Sequence, residues 1–264
     1  MLSADMLLRV ADRRIGSVLR ALGRRAYFAR DIVRGFRDPE TWFPEMVRQM
    51  RTIGVESVPL TVIVAAFLGG VTAFQTRYQL FPGVQLSVVG LITRQSIVLE
   101  LGPLLTALVL TGRVGARMTA EIGTMRVTEQ IDALETLSFD PVAYLALPRF
   151  LAGIVMLPAL VILANATAIA SAWAILITAT DVRTDDFVAG LRLAFTAFQV
   201  VYSLIKAFLF GAAISFVCAY EGYVTEAGAE GVGRSTALAV VIASVCILVL
   251  DALVAAVLAP FIQA

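Results

Sequence analysis

Phe150–Thr180 reads FLAGIVMLPALVILANATAIASAWAILITAT, 31 consecutive residues without a charge. As one helix it would run about 46 Å at 1.5 Å per residue, against a hydrocarbon core of about 30 Å. Tilt, or a break near Pro158, should absorb the excess. The apolar residues are continuous rather than alternating, which argues for a membrane helix over a barrel strand. Upstream lies a charged island, Arg113–Asp140, and before it a second run from about Val84 or Arg94 to Gly112 with Glu100 inside. Phe81-Pro82-Gly83 breaks that run from Ser57–Thr76, an uncharged stretch flanked by Glu56 and Arg77. Downstream, Asp181–Arg192 reads as a short acidic loop and Leu193–Tyr220 as a fourth span interrupted only by Lys206. Glu221–Arg234 reads as a Gly-rich polar loop, and Ser235–Ala264 as a fifth span carrying Asp251.

The pattern predicts an all-α membrane protein with five transmembrane helices in one domain over residues 52–264, preceded by an N-terminal interfacial region over 1–51. Composition agrees. Charged residues are 16% of the chain against about 25% in soluble domains, and mean hydropathy is +0.86. Through Arg51 there are eleven arginines against six acids. Met6, Leu7, Val10, Ile15, Val18, Leu19 and Leu22 fall at helical spacing between Arg9, Arg13, Arg14, Arg20, Arg24 and Arg25, the pattern of a helix lying in the membrane interface. No apolar core with a small-residue cleavage site is present there, so no secretory signal is predicted. Asp38-Pro39 predicts a cap and first helical residue, opening a helix through Trp42, Phe43, Met46 and Met50. Cys218 and Cys246 lie in apolar runs and read as small core residues without a disulfide.

Basic residues favour one side of alternate loops. The N-terminal region, the 113–149 segment and the 221–234 loop hold sixteen, and the 77–94 and 181–192 segments hold four. Positive residues stay in the cytoplasm, which predicts a cytoplasmic N-terminus and, with five spans, a periplasmic C-terminus.

Several chemistries are excluded. The chain has no His, so it lacks HExxH and Ser-His-Asp sites. Its only Lys is Lys206, inside a span, so no GxxxxGK[ST] nucleotide loop is available. The segment Gly228–Ser235 is Gly-rich but lacks the lysine and follows no strand. No metal, cofactor or nucleic-acid site is predicted. What remains is three ionisable groups inside spans: Glu100, Lys206 and Asp251. Each costs about 2.5–3.5 kcal/mol at a helix centre and so must face protein or water and find a partner. They read either as a polar lining for a substrate cavity or as an ion pair holding the bundle, and Lys206 has two acids to choose from. Glu100-Leu101-Gly102-Pro103 adds a helix irregularity beside the acid. In the island, Ile122, Met125, Glu129 and Asp132 fall at helical spacing, and Arg126 and Glu129 lie one turn apart. A helix across the cytoplasmic face, tied to spans at both ends, is placed to receive force from a soluble partner. Asp140-Pro141 restarts a helix.

Glu100-Leu101-Gly102-Pro103, Thr106-Ala107-Leu108, Gly112-Arg113-Val114-Gly115, Thr119–Met125, Thr128–Glu135, and Asp140-Pro141 with Pro148-Arg149 together resemble the signature of the MlaE/YrbE permease family. Val47–Met50, Leu204-Ile205-Lys206, Gly222-Tyr223 and Leu250-Asp251 extend the likeness over most of the chain. The resemblance implies the permease subunit of an inner-membrane ABC transporter with no ATPase site of its own. It implies a homodimer, cytoplasmic ATPase subunits, a periplasmic hexamer of MCE proteins, a STAS-domain protein in some systems, and a glycerophospholipid substrate. It further implies a coupling helix over about residues 117–136, with Arg117, Glu121, Met125, Arg126, Glu129, Gln130 and Glu135 facing the ATPase. A lipid cavity would be lined by Thr72, Gln75, Tyr78, Arg94, Leu99 and Glu100, with Lys206 and Asp251 nearby. Many relatives carry Arg where this chain has Leu99, so Arg94 or Arg77 would have to supply positive charge. The competing expectation from the buried charges is an ion- or proton-coupled secondary transporter of an amphipathic substrate, although no internal repeat supports it.

Overall fold

The computed structural model describes residues 22–262 except Asp38, Pro82 and Ala227; the cap expected at Asp38 and most of the expected interfacial helix lie outside the described residues. Helix α1 covers 22–35, α2 Pro39–Ile53, α3 Val58–Gln79, α4 Ser87–Gln95, α5 Gly102–Leu110, α6 Ala116–Val127, α7 Gln130–Thr136, α8 Leu147–Ala179, α9 Thr184–Arg192, α10 Ala197–Tyr223 and α11 Ala229–Ile262. Among the described residues there is no strand. Five helical stretches are long and apolar enough to cross a membrane: Trp42–Gln79, Ser87–Val127, Val142–Ala179, Ala197–Tyr223 and Ala229–Leu258.

Three expectations change. The long third run does not break at Pro158, which sits inside the continuous α8; in a bundle, neighbouring helices re-satisfy the backbone that Pro leaves unpaired. Asp181–Arg192 is not a loop, because α9 occupies most of it with Asp185 and Asp186 in the first turn, where the helix dipole favours acids. The polar segment Glu221–Arg234 is mostly helical, since α10 runs to Tyr223 and α11 starts at Ala229. The reversal is confined to Val224–Gly228, with Gly228 at φ 94°.

The second stretch explains the missing boundary between span and island. It is 41 residues long, about 60 Å as a helix, and passes from α4 through α5 into α6 with two π-helical turns, Ser96–Leu101 and Thr111–Gly115, in place of breaks. Its length carries it beyond any bilayer core.

Helix α3 lies along α8, α8 along α10, and α10 along α11. In lipid no hydrophobic force drives helices together, so close contact relies on small residues. At the α8–α10 crossing, a methyl on Gly211 would stand 2.6 Å from the Gly153 carbonyl oxygen. Helix α1 docks at the end of α10. Phe28 and Ile32 are buried, Phe28 packs on Phe216, Tyr220 and Tyr223 with ring centroids 5.8, 5.4 and 5.6 Å away, and Arg25 pairs with Glu221 at 2.9 Å.

Candidate functional site

The three charges found inside the apolar runs converge. Lys206, wholly buried on α10, donates to Glu100 Oε2 and lies 2.8 Å from Asp251 Oδ1, an ion pair without hydrogen-bond geometry. The ambiguity over its partner is resolved by its having both. The ammonium also donates to the carbonyl of Leu99 at 3.2 Å. That carbonyl is open for a local reason: its helical partner would be the N–H of residue 103, which is Pro and has none. The π-helical turn over Ser96–Leu101 sits at the same place, and such turns recur at functional sites.

Around the lysine stand residues that the sequence reading missed. Tyr202 donates its hydroxyl to Glu100 Oε1 at 3.3 Å and lays its ring 4.9 Å from Lys206 Nζ. Asn165 on α8 donates to Ser203 Oγ at 3.2 Å, and its own Oδ1 is buried without a partner against Gly102. Tyr202 and Ser203 precede Lys206 by one helical turn, so their placement on its face was available from spacing alone. Asn165 gave no comparable signal within the long apolar run. Although Lys206 has no exposure, the Glu100 side chain is 45% exposed. The triad is therefore closed on its lysine side and open on one carboxylate.

The expected lipid-facing residues divide. Gln75 and Tyr78 are exposed on α3 and Thr72 half-buried, with the Tyr78 ring tilted against Phe74 at 4.6 Å between centroids. Leu99 and Glu100 are half-buried on the second stretch. No hydrogen bond or ion pair among the described residues joins Thr72, Gln75 or Tyr78 to the triad. The two arginines expected to supply positive charge both have protein partners, although Nε and Nη1 of Arg94 are buried without one. Arg77 donates Nε and Nη2 to the two Asp181 oxygens, both at 2.7 Å, tying the end of α3 to the end of α8 and holding the Asp181 carboxyl below its ordinary value. Arg94 is 3% exposed and donates to the carbonyls of Leu193 and Ala194.

At the opposite end, the single helix expected over about 117–136 is two. Helix α6 stops at Val127, Glu129 turns in the left-handed region at φ 60°, and α7 starts at Gln130. The reversal carries Glu129 away from Arg126, whose expected partner is replaced by Asp132 at 2.8 Å. The seven named residues separate by their contacts, since Arg117 is itself exposed. Arg117 bonds Glu121 at 2.8 Å and Glu56 at 2.9 Å, and Glu121 lies 3.5 Å from the buried Arg149. Met125 packs on the core and Arg126 covers Tyr223. Glu129, Gln130 and Glu135 are exposed. Ile131 between them is fully buried, so α7 is anchored while its acidic side faces outward.

Among the described residues, no group of three or more His, Cys, Asp or Glu gathers to hold a metal ion.

Known proteins resemble this chain over most of its length. A family model described as Permease MlaE matches residues 46–257. A probable ABC transporter permease protein of Rickettsia bellii is 34% identical over 257 residues, covering 94% of this chain and 97% of that protein. The intermembrane phospholipid transport system permease protein MlaE of Haemophilus influenzae is 31% identical over 240 residues, covering 90% and 92%. A probable ABC transporter permease protein of Synechocystis is 37% identical over 195 residues, 74% of each chain.

Proposed function

This chain belongs to the MlaE permease family, a transport component rather than an enzyme, and we propose on that premise that it moves glycerophospholipids across or out of a bacterial inner membrane using a separate ATPase. The observation that carries the reading is the Glu100–Lys206–Asp251 triad: a charged cluster inside a five-helix apolar bundle, partly open through Glu100. Its cost in lipid is offset only where the open carboxylate faces a polar path or partner. Leu99, Glu100, Thr72, Gln75 and Tyr78 form the lipid-facing strip, completed by a second copy of the chain. The exposed acids of α7 and its corner, Glu129 and Glu135, receive the ATPase; Arg117 and Glu121 brace the helix behind them. The N-terminus is cytoplasmic and the C-terminus periplasmic, as the arginine distribution favours. An MCE hexamer on the periplasmic side and a STAS-domain protein on the cytoplasmic side complete the assembly by family likeness.

The deciding experiment reconstitutes the chain with and without its cognate ATPase in liposomes containing fluorescent phospholipid. ATP-dependent lipid movement is expected only with both subunits. ATP turnover by the isolated chain, or lipid movement driven by a proton gradient alone, would replace this reading with another. Single cysteines at 129 and 183, in a Cys218→Ala, Cys246→Ala background, report the sidedness.

A further inference from the structure

We propose that Arg94 is a positioning residue: it fixes the start of α10 and thereby holds Lys206 in register with Glu100. The inference rests on the triad being the functional lining described above. Arg94 lies six residues before Glu100 on the same helical stretch and is 3% exposed. Its Nη2 donates to the carbonyls of Leu193 and Ala194 at 3.1 and 3.4 Å, and its guanidinium carbon stands 5.2 Å from the centroid of Phe195. Gln199, in the first turn of α10, donates to the same Ala194 carbonyl at 3.3 Å. Ala194 itself is left-handed at φ 50°, a conformation an alanine holds only when its surroundings impose it.

These contacts all converge on the turn 193–196. Residues 193–196 are exposed whereas Arg94 is not, so the buried guanidinium takes its acceptors from this turn, and Gln199 adds a second donor to one of them. The turn is brought to Arg94 by α9, which lies directly on α4: a methyl on Gly190 would come within 2.9 Å of the Gly90 Cα. From the turn, α10 runs about 15 Å to Lys206 along a helix rising 1.5 Å per residue. Toward the turn, the second stretch and α10 are joined by Arg94 to the turn and by Glu100 to Lys206, and farther along Thr119 donates to the Cys218 carbonyl. Releasing the first removes the tie nearest the start of α10, on the side where Lys206 meets Glu100. Arg94, so enclosed, serves the path from behind.

Lys206 is the chain's only lysine, which makes it its own reporter. The full-length chain, assembled with its ATPase in lipid nanodiscs, is exposed to a small amine-reactive ester, and modification of the Lys206 peptide is followed by mass spectrometry. In the parent protein Lys206 is expected to be protected. In Arg94→Gln, with ATPase association retained, modification is expected to be about tenfold faster, the factor that corresponds to losing one charge-assisted hydrogen bond. Arg94→Lys, which keeps a donor for one carbonyl, should fall between, and Gln199→Leu should shift the same way by less. Unchanged protection in both Arg94→Gln and Gln199→Leu overturns the proposal, and lost transport with Lys206 still protected would assign Arg94 to the lipid instead. Should Arg94→Gln not assemble, Gln199→Leu decides. Failure of the parent complex to move lipid would refute the permease reading while leaving the labelling result intact.

Discussion

Lys206 Nζ lies 2.8 Å from Asp251 Oδ1 while also donating to Glu100, so one ammonium on α10 serves carboxylates from the second and fifth membrane stretches. Two acids sharing one base leave the cluster with a surplus carboxylate, and Glu100, the more exposed of the two, is where that surplus meets its surroundings.

Replacing Lys206 with Met should therefore be severe. Removing one partner of a buried pair costs about 3–5 kcal/mol because it strands the other charge. The triple variant Lys206→Met, Glu100→Gln, Asp251→Asn should recover most of the thermal stability in detergent without recovering lipid transport. Recovery of both would reduce the triad to a structural pair.

The two acids of the docking region should behave differently. Glu129→Lys, on an exposed corner, should change the thermal midpoint little, within about ±0.5 kcal/mol of stability, while abolishing co-purification with the ATPase. Glu121→Lys should lower the midpoint, since it repels Arg117 and Arg149. Equal effects from the two reversals would contradict the division drawn between bracing and docking residues.

The Arg77–Asp181 latch sets a pH dependence whose sign follows from its lowered carboxyl. A depressed pKa means that the pair's contribution is present above the ordinary carboxylate value and fades as pH falls below about 4. Asp181→Asn should flatten the acid limb of the thermal-stability profile. The exchange Arg77→Asp, Asp181→Arg should restore part of it; a profile insensitive to both changes would show the latch to be energetically silent.

Gly211→Leu should separate α8 from α10, because Gly153 leaves no room for a side chain there. Overpacking of this kind costs about 1–3 kcal/mol. Differential scanning fluorimetry in detergent would read it, and the same substitution at Gly233, which has open space around it, is the control.

Much of the architecture was legible in the chain itself. Uncharged runs such as Ser57–Thr76 and Phe150–Thr180 mark membrane helices because lipid permits little else, and that argument needs no knowledge of neighbours. Glu100, Lys206 and Asp251 stood out for the same reason. Boundaries were less legible. The polar islands looked like loops, yet α9, the first turns of α11 and the continuous passage from α5 into α6 are helical. Outside the hydrocarbon core, charge no longer excludes a helix, so composition stops discriminating there.

Sequence alone determined the number and kind of membrane helices and which three side chains had to find partners, since each follows from the cost of placing a given group in lipid. Tertiary structure alone decided that Lys206 takes both acids together with the Leu99 carbonyl, that Arg126 turns to Asp132, and that Arg94 supports a turn a hundred residues away. Such choices depend on where helices cross and on backbone atoms freed by Pro103 or by the Ala194 turn, and crossing positions are set by small-residue packing that leaves no charge signature in the chain.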